Sequence, residues 1–130
     1  MTGPDTARQL ISSGSPYEPT IGFSRAVRVG SQVFVSGTAP VWPDGSVDPD
    51  PLTQARRVWE IALEALGRAG GKPEDVVRTR QFIAGREVAD AAGQAHGELF
   101  GSIRPASTMV VAQLLDERWV IEVELDAILA

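Results

Sequence analysis

The sequence predicts an α+β domain, a two-layer sandwich in which two helices cover one face of a mixed sheet, with elements in the order β-β-α-β-α-β-β. Three observations carry that expectation. Residues 24–36 read as two strands joined by a tight turn at Gly30-Ser31, a hairpin signal. Residues 51–69 place apolar side chains at three- and four-residue steps, as a helix with one buried face requires. From Trp119 to Ala127 the chain alternates strictly: Ile121, Val123, Leu125 and Ala127 point one way, and Val120, Glu122, Glu124 and Asp126 point the other. A strand with aliphatics on one face and acids on the other has a core on one side only.

Each element has its own signals. The first 22 residues, rich in Ser, Gly, Pro and Thr, are expected to form an irregular arm with a short strand near Arg8 to Ser12. Ser24–Val29 and Gln32–Ser36 make the hairpin, and Thr38–Pro49, rich in Pro, Gly and Asp, is a loop. Asp50 can cap the first helix by accepting from orphan N–H groups, and Pro51 suits its first position because it has no N–H to lose. Ala55, Val58, Trp59, Ala62, Ala65, Leu66 and Ala69 form its apolar face, and Gly70-Gly71 ends it. Val76–Ala84 reads as a strand. A second helix over roughly Glu87–Phe100 is expected to bury Val88, Ala92, Ala95 and Leu99 and to stop at Gly101. Ser107–Val111 has the residues of a buried strand, and the last strand follows the turn at Asp116-Glu117-Arg118.

At 130 residues, the chain is expected to be one domain with a single core. No apolar run is long enough to span a bilayer, and the polar N-terminal residues, with Asp5 and Arg8 but no apolar stretch, do not read as a signal peptide. The absence of cysteine excludes disulfides, a thiolate nucleophile and cysteine-rich zinc sites, and it fits a reducing cytoplasm. A net charge of −5, with arginines scattered rather than clustered, argues against nucleic acid as a partner. Three alternating acids and a single histidine are too little to predict a metal site or a glycosidase pair.

Five segments together resemble the Rid family, also called the YjgF or liver perchloric-acid-soluble protein family. They are Val35-Ser36-Gly37, the helix from near Gln54, Glu74-Asp75-Val76-Val77, the turn Arg104-Pro105-Ala106-Ser107-Thr108, and Ile121-Glu122-Val123-Glu124. The resemblance runs from about Phe23 to Ala127. It implies a chorismate-mutase-like domain that assembles as a homotrimer, with small-molecule sites in the clefts between subunits. The activity implied is hydrolysis of reactive enamines or imines to a carbonyl product and ammonia, without metal or organic cofactor. The alternative is a trimer that binds or scavenges a metabolite without catalysis.

The implied site residues are carried over one at a time. Glu122 matches the family glutamate that positions or activates water, a task suited to a carboxylate whose pKa is raised by burial. The competing reading pairs it with Arg78 or Arg80. Ser36 and Gly37 match a Ser-Gly that lines the cleft. The family's tyrosine position holds Phe23, and its helix asparagine position holds Gly93. The arginine of the family's Pro-Ala-Arg-Ser turn, which grips a substrate carboxylate through two parallel donors, falls at Ala106, just before Ser107.

Arg104 lies two residues upstream, about 6.6 Å in extended chain, and its length makes up part of that shift. Pro105 restricts Arg104 to extended backbone, which favours a structural pair with Glu98 or Asp126. His96, one turn beyond Gly93, is either a proton shuttle at the cleft or a packed helix residue. Trp42, Trp59 and Trp119 are expected to anchor the core or an interface, with Trp42 at the cleft mouth.

Overall fold

The computed structural model describes residues 7–130, so the first six residues of the N-terminal arm lie outside the described residues. The elements are β1 (Arg8–Ile11), β2 (Ala26–Val29), β3 (Gln32–Thr38), α1 (Pro51–Arg68), β4 (Val76–Ile83), α2 (Ala89–Phe100), β5 (Ala106–Val111) and β6 (Ile121–Ile128). They form one six-stranded sheet in the order β1-β2-β3-β6-β4-β5. β4 and β5 are parallel and every other pairing is antiparallel, so the sheet is mixed. Among the described residues no helix is long and apolar enough to cross a membrane.

The strand with the cleanest alternation is central. β6 lies between β3 and β4 and sends Ile121, Val123, Leu125 and Ala127 into the layer under the helices, each essentially buried. α1 answers with Ala55, Val58, Trp59, Ala62, Ala65 and Leu66. Its ends are built as the residues require. Asp50 Oδ2 accepts from the Thr53 amide at 2.9 Å, and Pro51 occupies the first turn. At the far end Gly70 takes φ +95°, while the amides of Gly71 and Gly70 donate to the carbonyls of Leu66 and Gly67. That pair of bonds is a Schellman closure, and glycine reaches its left-handed position without strain.

One buried polar side chain ties the layers together. Gln54, on the inner face of α1, donates to the carbonyls of Asp48 and Arg118, both at 2.8 Å, and accepts from the Val120 amide at 2.8 Å. It therefore fixes where β6 begins relative to α1. A buried amide with its donors and acceptor used specifies geometry at little net cost.

Four local expectations need correction. The arm has its expected short strand, β1, which pairs with β2, but the rest is not irregular throughout: Glu18–Gly22 makes one wide helical turn closed by Phe23 N–H donating to the Glu18 carbonyl at 3.0 Å. In α2 it is Phe100, at 1% exposure, that is buried, while Leu99 is 38% exposed. A short 3₁₀ turn at Arg86–Val88 leads into α2 and shifts its phase relative to a helix begun at Glu87. β5 is exposed along its whole length within the chain, because it is the edge strand beside β4. Finally, Arg104 is not extended but has φ +59°. Its amide donates to the Phe100 carbonyl at 2.8 Å, closing the end of α2 with a left-handed residue.

Candidate functional site

Glu122 leaves β6 on the open face of the sheet, away from the helices, as do Glu124 and Asp126. The expected pairing of Glu122 with Arg78 or Arg80 is not made, and strand register explains why. Phe82 is opposite Glu122, whereas Arg80 Nη1 lies 3.3 Å from both Glu124 and Asp126. Glu122 makes no ion pair among the described residues. Burial pushes its carboxyl above the ordinary range, the charge of Arg25 pulls it back, and Glu124 adds to the rise.

Ser36 and Gly37 come to Glu122 through a bulge. From Val35 to Thr38 β3 advances three residues while β6 moves two, from Leu125 to Val123. Ser36 Oγ spends its proton on the Ser24 carbonyl at 2.6 Å. The space beside Gly37 is taken by the Glu122 carboxylate, and a Cβ at 37 would overlap Glu122 Oε2. Because the obstructing atom is the end of a flexible side chain, Gly37→Ala is expected to displace Glu122 rather than unfold the protein. Urea denaturation should shift by less than about 1 kcal/mol, while any ligand response that depends on Glu122 falls at least about tenfold. A stable Gly37→Ala variant with an unchanged response would separate Gly37 from the site.

Arg25 was not singled out by sequence reasoning, although strand parity could have found it. Ala26 is buried on the helix side, so Arg25 stands on the open face with Ser36. Its Nη2 donates to the Gly37 carbonyl, its Nε is buried without a partner, and it forms no ion pair among the described residues. Burial lowers its pKa, and the charges of Glu18 and Glu122 oppose that shift. Glu18 itself is committed to the arm, where it accepts from the Ser13 amide at 3.0 Å and from Ser13 Oγ. Phe23 leaves the helical turn two residues before Arg25 and remains 37% exposed.

The other sequence-predicted site residues are elsewhere. Ala106 pairs with Arg78, and Arg78 faces Asp126, so Ala106 is four residues along and two strands across from Glu122. That is about 13 Å along the sheet and about 10 Å across it. Arg104, exposed on the turn before Ala106, pairs with neither of the carboxylates suggested for it. Glu98 is held by Arg56 at 2.7 Å and Asp126 by Arg80. Within one chain the candidate site residues therefore fall into two separate halves, Ser36/Gly37/Glu122, with Phe23 on the segment leading to Arg25, and Arg104/Ala106.

Ser107 and His96 belong to neither half. Ser107 points to the helix side, where Thr79 Oγ1 donates to Ser107 Oγ at 2.9 Å and lies 2.8 Å from His96 Nε2. His96 is packed edge-on against Trp59 and tilted against Phe100. Burial lowers its pKa. The stabilising contribution of neutral His96 is complete above the unfolded value of about 6.5 and is lost as pH falls through the lower folded value. Acidification from pH 7 to 5 should therefore lower the melting temperature more in the wild type than in His96→Gln. Equal slopes would show that this imidazole is as easily protonated as in the unfolded chain.

Trp42 stacks under Arg57, whose Cζ lies 4.1 Å from the ring centroid, so the loop is pinned to α1. Gly93 is open, with nothing within 4 Å of an added Cβ. Among the described residues no group of three or more His, Asp or Glu side chains is placed to hold a metal ion.

The sequence and the fold both have counterparts among known proteins. A sequence profile described as Endoribonuclease L-PSP matches residues 14–129. An uncharacterized protein of Streptomyces coelicolor is 40% identical over 123 residues, covering 93% of this chain and 92% of that protein. A crystal structure from Mycobacterium tuberculosis, described as a member of the highly conserved YjgF/YER057c/UK114 family, is 36% identical. It covers 95% of this chain and 100% of its own, with a TM-score of 0.86. Escherichia coli TdcF, solved with bound serine, shares the fold at a TM-score of 0.79 and 23% identity, covering 93% of this chain and 94% of its own. With nearly its whole length matched in sequence and in structure, this chain belongs to the Endoribonuclease L-PSP family, the Rid/YjgF group.

Proposed function

We propose that this protein is a small-molecule hydrolase of the enamine/imine deaminase type, with its site completed between copies of the chain and Glu122 handling the attacking water. The observation that carries this reading is the state of Glu122. It is a half-buried carboxylate without an ion pair among the described residues, its pKa raised by burial, wedged against a glycine that leaves room for it. A structural carboxylate in a sheet is normally paired, as Glu124 and Asp126 are with Arg80. A carboxylate left unpaired and shifted towards neutrality is suited to take and return a proton.

Self-association as a homotrimer is part of the same proposal. The half-sites at Glu122 and at Arg104/Ala106 are too far apart within one chain to touch one small ligand. The open face also carries Phe34, Val110 and Ile128, all exposed, beside the unpaired edge of β5. Apolar residues around a central ion-pair cluster suit a surface that another copy covers. The chemistry assigned to Glu122 is proton transfer to and from water, and a reducing cytoplasmic setting suits it. The steady-state test is consumption of freshly generated 2-iminopropionate by protein whose mass in solution has been measured. Acceleration over buffer by an oligomer supports the reading. Buffer-rate decay with folded oligomer rejects catalysis and leaves ligand binding as the role of the face.

A further inference from the structure

Ala106 removes the cation from the turn where the family arginine sits, yet an unassigned cation stands beside Glu122 in the same chain. We propose that Arg25 binds the carboxylate of the ligand whose reacting carbon faces Glu122, so that the anion subsite has moved from the β5 edge to the β2–β3 side of the sheet. The proposal rests on reading the face around Glu122 as the ligand site.

The arginines on this face are not equivalent. Arg80 is spent on Glu124 and Asp126. Arg78 is level with Asp126, about 13 Å along the strand from the level of Glu122. Arg104 belongs to the distant turn. Arg25 is anchored next to Gly37, the residue that Glu122 itself abuts. A guanidinium has five N–H donors. Here the Gly37 carbonyl takes one Nη2 proton and the Nε proton is sealed without a partner, so the end-on pair of Nη groups is the part left for a ligand.

Among the described residues no carboxylate neutralises Arg25 by contact. Glu18, a buried acid whose charge also reaches Arg25, accepts through Oε2 from the amide and hydroxyl of Ser13. The Gly37 carbonyl fixes the direction of the fork, and its position is set by the β3 bulge. A held guanidinium and a nearby carboxylate, not ion-paired with each other, suit a ligand with an anionic group next to an electron-poor carbon. The anion meets Arg25, and the carbon meets water at Glu122. A half-buried cation without a carboxylate partner is a cost to folding that a bound carboxylate would offset.

Pyruvate, the keto-acid counterpart of 2-iminopropionate, is the probe because its binding is read without turnover. Calorimetric titration of the assembled wild-type protein should show millimolar or tighter binding. Arg25→Gln should weaken it at least about thirtyfold, the loss expected for one charged contact in a cleft. Glu122→Gln should bind as well or better, because it removes a negative neighbour. If Arg25→Gln fails to fold, Arg25→Lys is read instead. It keeps the charge but not the fork, and about tenfold weaker binding is expected.

Absence of pyruvate binding by the wild type overturns the assignment, as does undiminished binding by folded Arg25→Gln or Arg25→Lys. Failure of the hydrolase reading looks different: pyruvate binds through Arg25, yet 2-iminopropionate decays at the buffer rate. Hydrolysis with full rate in Arg25→Gln leaves the hydrolase reading standing and removes this one.

Discussion

Glu122→Gln is expected to lose turnover of 2-iminopropionate by about 10²–10⁴-fold, the range that positioned proton transfer contributes, while melting at a higher temperature than the wild type at pH 7.5. The two halves of that result have one cause. Burial raises the Glu122 carboxyl pKa by more than Arg25 lowers it, so the folded chain holds the ionised form at a net cost. For a carboxylate raised in the fold, the contribution to stability is complete below the unfolded pKa of about 4.3 and is lost as pH rises through the folded value.

Glutamine keeps the shape and cannot ionise, so its advantage appears above that window and disappears near pH 4. A purely structural glutamate predicts the reverse, because removing a paired charge destabilises. Melting curves at pH 4 and pH 7.5, beside the kinetic comparison, distinguish these cases. Loss of stability in the glutamine variant at pH 7.5 would mean that Glu122 supports the fold. Stability given up at a reactive group is the usual trade between activity and stability.

Elements whose signals are local were legible in the sequence. Asp50-Pro51, the three- and four-residue apolar steps and Gly70-Gly71 place α1 within a residue of its observed ends, because capping and periodicity are properties of neighbouring residues. Alternation along Ile121–Ile128 likewise reveals which face of β6 is buried. What depends on contacts distant in sequence was not legible. Ser107–Val111 has the composition of a core strand, but its place at the sheet edge is decided by pairing with β4. Such a composition on an exposed edge is reasonable if a second copy covers it.

Arg104 was expected in extended backbone because Pro105 follows it. The closure of α2 by its amide outweighed that preference. Arg25 was passed over because its partner, the Gly37 carbonyl, is 12 residues away across the hairpin. The candidate site was thus half visible. Glu122, Ser36 and Gly37 could be named; parity with Ala26 gives the face on which Arg25 stands, but its seat beside Gly37 required the strand register.

Trp59→Ala is expected to be the most damaging single truncation in the core, at about 3–5 kcal/mol in urea denaturation at fixed protein concentration. Trp59 has 0% exposure and is the largest fully buried side chain. It does more than fill volume. His96 and Phe100 of α2 both meet its ring at steep angles, with centroid distances of 5.6 and 5.1 Å, so one side chain of α1 sets the seat of α2. Removing it should also admit water to His96, and the acid sensitivity described above should weaken in the variant. Trp59→Phe is expected to cost far less, about 1–2 kcal/mol. Trp59 Nε1 is buried without a hydrogen-bond partner, so phenylalanine removes an unsatisfied donor along with part of the ring. Near-equal losses for the two variants would show that the indole N–H is satisfied in solution, and that the edge-on packing of α2 on α1 is not where the core derives its stability.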